Sequence, residues 1–215
     1  MLRFGPDRGP VLLVAPPLFE EANRTRAFLV RILRLLGERG VASALPDLPG
    51  QGESLVPTAE ARLDHWRQAF ESAAGHAAGD RGFAGVLAIR GGALVDSLPL
   101  APARWRFAPM TGEDLVRELN RVRAAADRGR VGGDQPVEIA GNLLSPELLS
   151  DLEAATTHDE TVVPTRTVRL ETDPRPADRK LPGSPLWRRS EPGTDETLAV
   201  ALADDIAGWI DRCAA

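Results

Sequence analysis

Cysteine and long hydrophobic runs are scarce in this 215-residue sequence. The single cysteine, Cys213, cannot form an internal disulfide or build a cysteine-based zinc cluster, so a reducing, cytoplasmic compartment is the expected location. The first apolar run, residues 11–15, is too short for the core of a signal peptide or for a membrane span. Disulfide scaffolds and membrane-spanning proteins are therefore not the expected classes.

The chain also has no excess of positive charge. Its 26 basic residues stand against 31 acidic ones, which gives a formal net charge of −5. A negatively charged chain is repelled by a phosphate backbone, although local basic patches are compatible with this composition. We therefore expect no nucleic-acid partner.

Histidine is rare as well, and its spacing does not suggest a site. His65 and His76 lie on one predicted helix but too far apart for neighbouring turns, and His158 lies in a polar stretch. No H-x-x-x-H pair is present, so surface positions explain these residues better than a catalytic base or a metal ligand. We expect no metal and no cofactor.

Hydrophobic patterning predicts a single α/β domain over residues 1–215. Short apolar runs indicate strands that are buried on both faces, and amphipathic stretches indicate helices. The predicted strands cover residues 11–15, 41–45, 83–89, 104–108, 137–140, 165–171 and 186–188. The predicted helices are one capped by Asn23 or Thr25 and ended by Gly40, residues 59–78, residues 112–128, one opened by Ser145-Pro146-Glu147, and residues 194–212 with Thr194 or Asp195 as cap. Residues 174–182 are predicted to form a surface loop.

The alternation of strands and helices is typical of a doubly wound sheet. We expect the runs 11–15, 41–45 and 84–89 to be parallel neighbours, with the third in the centre. Residues 111–157 could form a lid over the carboxyl edge of the sheet, where ligands bind in open α/β sheets.

A sharp glycine turn follows the central run. Residues 88–92 read Ala-Ile-Arg-Gly-Gly, and they resemble the nucleophile elbow Gly-x-Ser-x-Gly of α/β-hydrolases. The small neighbours suit such a turn, but the apex is Arg90, whose guanidinium stays protonated and cannot attack a carbonyl carbon. The sequence therefore predicts an α/β-hydrolase-like fold, with a mostly parallel doubly wound sheet, helices on both faces and a small lid, but not the hydrolase chemistry.

Residues 47–54 resemble a second loop of α/β-hydrolases, D-x-x-G-x-G-x-S, from Asp47 to Ser54. Glycine and proline mark turns more often than they mark sites, so turn architecture is the favoured interpretation. Ser97 and Ser145 lie near other loops, and capping or turn roles explain all three serines better than nucleophilic ones.

Three separated stretches carry a closer resemblance: PPLFEEANRTR at 16–26, LAIRGGAL at 87–94 and VEIAGNLLSPELLSDL at 137–152. Their order is similar to that of the α/β-hydrolase-like proteins called exosortase A system-associated hydrolase 2. The resemblance implies a bacterial protein linked to exopolysaccharide production and exosortase-dependent sorting of surface proteins. This chain differs from that pattern at Ala88 and Asn142.

The residues of a serine-hydrolase triad are incomplete. Asp173 follows a late predicted strand, where the acid of a triad would stand. The base histidine would be expected after residues 186–188, but the chain continues there with Arg189, Ser190 and Glu191. We therefore expect no catalytic residues of this kind.

Arg90 has two interpretations. At the start of a helix it could complete an anion site together with free backbone N–H groups. Alternatively, it pairs with Glu20 or Glu21 and holds the inactive elbow closed, which is the favoured interpretation because arginine beside carboxylates is usually a structural ion pair. The candidate binding residues are Arg90, Gly91, Gly92, Glu20, Glu21, Asn23 and Arg24.

Three functions remain open from the sequence. The first is a non-catalytic domain that binds a small anionic ligand or a protein partner. The second is an esterase or thioesterase with a displaced nucleophile, and the third is a structural subunit whose lid forms a homo-oligomer interface. The residue at the elbow favours the first.

Overall fold

The computed structural model describes residues 1–52, 54–99, 101–125, 135–157 and 163–214. Within these ranges the chain forms a seven-stranded sheet and a separate two-stranded hairpin. The strands are β1 (Leu2–Phe4), β2 (Val11–Ala15), β3 (Ala42–Leu45), β4 (Phe83–Ile89), β5 (Arg104–Phe107), β6 (Val137–Ile139), β7 (Asn142–Leu144), β8 (Thr165–Leu170) and β9 (Arg179–Leu181).

The large sheet has the order β1-β3-β2-β4-β5-β8-β9. All neighbours are parallel except the edge strand β1, which pairs antiparallel with β3. The prediction that the apolar runs of β3, β2 and β4 are parallel neighbours, with β4 central, is confirmed. Strands β6 and β7 form the hairpin.

Helices cover both faces of the sheet. They are α1 (Glu20–Glu38), α2 (Leu63–Ala78), α3 (Gly112–Ala125), α4 (Pro146–Glu153) and α5 (Glu196–Ala214). Because successive side chains of a strand point to opposite faces, Leu13 of β2 packs with α2, α3 and α4, and Leu12 packs with α1 and α5. Helices on both faces of the sheet thus explain why the sequences of these strands are continuous apolar runs.

Two predicted element types in the C-terminal part of the chain differ from the structure. Leu186–Arg188 is a short 3-10 helix, not a strand, and it buries Leu186 and Trp187. The predicted surface loop 174–182 contains the edge strand β9. An edge strand tolerates charged side chains such as Arg179 and Lys180, so its sequence does not show the apolar pattern of a central strand.

The start of α1 also differs from the prediction. The helix begins at Glu20, so Asn23 and Thr25 lie inside it and are not caps. Thr25 instead donates its hydroxyl to the carbonyl of Glu21. Acidic residues in the first turn suit the positive end of the helix dipole, which helps the helix to begin without a side-chain cap.

Two predicted caps are confirmed. The Ser145 hydroxyl accepts a hydrogen bond from the Leu148 amide at 3.1 Å, with Pro146 at the first helical position. The Asp195 carboxylate accepts from the Leu198 amide at 3.0 Å. Parts of other predictions, including Glu53, residues 126–134 of the proposed lid and His158, lie outside the described residues.

A buried carboxylate joins α5 to the sheet. Asp205 accepts hydrogen bonds from Trp105 Nε1 at 2.8 Å, from Arg166 at 2.7 and 2.9 Å, and from Arg179 at 2.8 Å. Burial opposes its ionisation, but these hydrogen bonds together outweigh burial and lower the pKa of Asp205 to about 2. The charge of Asp205 therefore ties the helix to β5, β8 and β9.

Asp205→Asn keeps the shape of this side chain and removes its charge. We expect the variant to lose about 1–3 kcal/mol of unfolding free energy at neutral pH, discounted for the exposure of Arg179. The folded pKa lies below the ordinary value of 3.8, so the advantage of the wild type is present above pH 3.8 and is lost as the pH falls through about 2. Urea unfolding measured across this range tests it, with the exposed Asp204→Asn as control. Equal losses in both variants would contradict the prediction.

Candidate functional site

The turn after β4 has the strained geometry that an elbow requires. Arg90 has φ 54°, a conformation rarely adopted by a residue with a side chain, and it opens a 3-10 helix, Arg90–Leu94. Gly92 is needed for packing, because a Cβ there would lie 2.2 Å from the Ala15 carbonyl oxygen. The predicted strand and glycine turn are confirmed, and the helix that follows is a short 3-10 segment.

The Arg90 side chain is buried in an ion cluster and has only 3% of its surface exposed. Its Nη2 lies 2.8 Å from Glu21 Oε1 and 3.0 Å from Glu118 Oε2, and its Nε lies 3.1 Å from Glu21 Oε2. The guanidinium also lies 4.4 Å from the centre of the Trp187 ring. The predicted pairing of Arg90 is confirmed for Glu21 and not for Glu20. We call Arg90, Glu21, Glu118 and Trp187 the apex cluster.

The other candidate residues of α1 lie around this cluster. Glu20 binds Arg24 one helical turn away, and Arg24 Nη1 donates to the Trp187 carbonyl oxygen at 3.1 Å. Arg24 therefore holds the 186–188 segment against α1. Asn23 is exposed and lines a different cavity, so the structure does not bring it to Arg90.

Two members of the apex cluster are not among the residues that the sequence suggested. Glu118 lies on α3, in a stretch whose pattern indicates only an amphipathic helix with a charged outer face. Trp187 lies in a segment that the sequence predicts to be a strand. Neither residue has a local motif, because their meeting with Arg90 depends on how α3 and the 186–188 segment pack.

Asp173 lies three residues after β8, as the acid of a triad would, but it is occupied by arginines. It accepts from Arg169 Nη1 at 2.9 Å and from Arg175 Nη2 at 2.9 Å. Burial opposes ionisation, but hydrogen bonds from Arg175 and Arg169 hold the pKa of Asp173 well below its usual range. Asp173 is therefore a fixed anion in an ion-pair network.

His65 and His76 are exposed on α2, as predicted.

Two cavities of about 370 Å³ each meet at Glu118, Trp187 and Arg188. The strand-end cavity is polar and is lined by Arg90, Met110, Asp114, Thr172, Asp173 and Arg175 in addition to the shared residues. The helix cavity lies between α1 and α3 and is lined by Leu18, Phe19, Glu20, Glu21, Arg24, Leu115, Leu119, Arg121, Val122 and Ala140 in addition to the shared residues. Among the described residues that line either cavity, there is no serine, cysteine or histidine.

The serines suggested by loop position have structural tasks. Ser54 Oγ accepts hydrogen bonds from the amides of Gly50 and Val56, and Ser145 caps α4. The turn interpretation of residues 47–54 is therefore confirmed for Ser54. Neither hydroxyl lies in the two cavities.

The carboxyl of Glu21 in the apex cluster has a raised pKa. Burial raises the pKa of its carboxyl, the hydrogen bonds and charge of Arg90 oppose this rise, and the nearby Glu118 adds to it. Two carboxylates that share one guanidinium can hold a proton between them. The apex cluster can therefore hold a proton between its carboxylates.

Comparison with known proteins identifies the fold. No family model and no curated protein matches the chain. Among solved structures, Est1E from Butyrivibrio proteoclasticus, with ferulic acid bound, matches with a TM-score of 0.63 and 14% identity over 96% of this chain and 91% of its own. Alpha/beta hydrolase domain-containing protein 10 from mouse matches with a TM-score of 0.62 and 15% identity over 98% of this chain and 93% of its own. The chain therefore has an α/β-hydrolase fold.

The described part of the chain has neither a cluster of metal ligands nor a helix of the kind that spans a membrane. Across the described ranges, no group of three or more His, Cys, Asp or Glu residues is arranged to hold a metal ion. In the same part of the chain, no helix has both the length and the apolar content needed to cross a membrane.

Arg90→Met tests how strongly the apex cluster supports the fold. The change leaves Glu21 buried without its cation, and we expect a loss of about 2–4 kcal/mol of unfolding free energy. This range is discounted because Glu118 is about a third exposed and Glu21 can take up a proton. Urea unfolding measures the loss. The double variant Arg90→Met/Glu21→Gln should be more stable than the sum of the single changes implies.

The matched control is Arg62→Met, because Arg62 makes a similar bidentate pair with Asp151 at an exposed position. Little change in stability is expected there. If Arg90→Met were as stable as this control, the apex cluster would not support the fold.

Glu21→Gln tests the raised pKa of Glu21. As the pH rises above the ordinary pKa of 4.5, Glu21 loses its proton in the unfolded chain before it does so in the folded protein. The folded protein is therefore less stable above this pH than below it. Lowering the pH from about 8 to about 5 should therefore stabilise the wild type relative to Glu21→Gln, which cannot ionise. Denaturant unfolding at several pH values measures the difference. Parallel pH profiles of the two proteins would contradict it, and Glu118→Gln should show a smaller pH effect than the wild type.

Proposed function

We propose that this protein is a non-hydrolytic member of the α/β-hydrolase fold that acts by binding a ligand or partner. The observation that carries the proposal is the apex cluster, in which the side chain at the elbow is a guanidinium already bound by Glu21 and Glu118. A group at this position that cannot lose its proton cannot form a covalent intermediate.

The surroundings of the elbow support the same proposal. An esterase stabilises a developing oxyanion with donors, but here Glu20 and Glu21 stand in the first turn of α1, next to the elbow. Carboxylates there disfavour such an anion. Trp187 faces the guanidinium of Arg90, in the segment after which a base histidine would be expected. The residues at the nucleophile position and beside it therefore support binding rather than acyl transfer.

An esterase with a displaced nucleophile is the second candidate. It is favoured by the solved neighbours, since Est1E was solved with ferulic acid bound and another neighbour is a putative hydrolase from Agrobacterium vitis, with a TM-score of 0.56 and 17% identity over 98% of this chain and 91% of its own. Thr172 supplies a hydroxyl in the strand-end cavity. The described residues of that cavity include no histidine, and its carboxylates Asp114, Glu118 and Asp173 are paired with Arg175 or Arg90, which makes them weak bases for this hydroxyl.

The biological setting of the proposal comes from the sequence resemblance. We infer an accessory role in a bacterial exosortase and exopolysaccharide system, in the cytoplasm, with residues 111–157 as a lid over the binding region. Within this segment α3 supplies Glu118 to the apex cluster, so the lid would contact the elbow directly. Neighbouring genes that encode an exosortase or glycosyltransferases would support this setting.

Purified protein should show no turnover of short acyl esters and no labelling by a serine-directed fluorophosphonate. Arg90→Ser should remain inactive, because the new hydroxyl has no base to accept its proton. Release of the ester's alcohol, followed by absorbance, measures turnover, and mass spectrometry measures labelling. An active serine esterase is the positive control, and melting curves show whether the variant is folded. Stoichiometric labelling of any residue of the wild type would overturn the proposal in favour of the esterase.

A further inference from the structure

The helix cavity has an apolar floor beside the apex cluster. Leu115 and Leu119 of α3 face Leu18 and Phe19 across it, and these four side chains are at least nine-tenths buried. Val122 continues the apolar surface to the mouth, where 38% of it is exposed. A cavity of about 370 Å³ with such a floor favours an apolar group from solution.

Hydrogen-bond donors without acceptors surround this floor. Arg121 and Arg188 stand exposed at the mouth, and within the described ranges neither guanidinium has a hydrogen bond or an ion pair. In the walls, Arg24 Nε and Trp187 Nε1 are buried and have no acceptor among the described residues. Trp187 as a whole is only 8% exposed. The donors that a ligand in the cavity can reach are therefore the exposed guanidinium groups of Arg121 and Arg188.

The acceptors of the cavity are already used. Glu20 binds Arg24, and Glu21 and Glu118 bind Arg90 behind the cavity wall. Among the described residues, Arg121 and Arg188 are therefore the charges of the cavity that have no counter-ion. The strand-end cavity differs, because Asp114 and Asp173 neutralise Arg175 there.

We infer that the helix cavity binds an amphipathic anion, an alkyl-chain carboxylate, with its tail on Leu115 and Leu119 and its head at Arg121 and Arg188. The inference rests on the proposed function, since it assigns a ligand class to a fold that binds without hydrolysing. Guanidinium groups bind carboxylates through paired N–H donors, and the apolar floor selects anions that carry a tail. Neither the guanidinium groups nor the apolar floor alone would select an anion with an alkyl tail over other ligands.

Isothermal titration with octanoate tests the inference on the full chain. Octanoate should bind more tightly than acetate, which lacks the tail, than octanol, which lacks the charge, and than octylamine, which has the opposite charge. The double variant Arg121→Gln/Arg188→Gln should weaken octanoate binding by about tenfold or more and leave octanol binding unchanged. Arg34→Gln, at an exposed arginine of α1 outside both cavities, is the control and should bind as the wild type does.

Val122→Asp tests the tail. It places a charge on the partly exposed end of the floor and should weaken octanoate and octanol together. Melting curves show whether each variant is folded. Octanoate binding that is unaffected by the double arginine variant, or equal binding of acetate, or tighter binding of octylamine would overturn the inference, as would no octanoate binding to the wild type.

Fluorophosphonate labelling in the same samples separates this inference from the proposed function. Absent labelling with absent octanoate binding rejects only the ligand class. Labelling of the wild type rejects the non-hydrolytic function, whatever octanoate does.

Discussion

The buried Arg90–Glu21 ion pair is the interaction on which the carboxyl edge of the sheet depends. It joins the end of β4 to the first turn of α1, and through Glu118 and Trp187 it also joins α3 and the 186–188 segment. Removing charges from water is costly, so such a cluster is stable only when its partners are held in good geometry. The strained backbone of Arg90 is held in place by the same contacts.

This cluster explains how the fold keeps the elbow turn with an arginine at its apex. The sheet order, the sharp turn and the glycine beneath it preserve the frame that a nucleophile would need. The apex side chain contributes to stability instead of reactivity. Since one fold hosts many functions, the site and not the architecture must decide what the protein does. Here the helix cavity combines an apolar floor with two exposed arginines that have no ion pair among the described residues.

A second ion cluster stabilises the protein away from the cavities. Asp205 joins α5 to β5, β8 and β9 through Trp105, Arg166 and Arg179. Its residues do not line the strand-end cavity or the helix cavity. Changes at Asp205 therefore act on the stability of the fold, whereas changes at Arg121 or Arg188 act on the mouth of the helix cavity. This separation allows binding and folding to be measured independently.

The sequence by itself determined the central strands, the turn at Arg90, the cap Ser145 and a cap at Thr194 or Asp195, because each of these depends on residues close together in the chain. Only the tertiary structure decided that Arg90 pairs with Glu21 and not Glu20. An earlier start of α1 than the pattern suggests sets which carboxylate faces the elbow. Glu118 and Trp187 could not be assigned from the sequence either. Their roles come from the contacts of α3 and of the 186–188 segment with Arg90 in the turn after β4, and contacts between residues distant in the chain leave no local pattern.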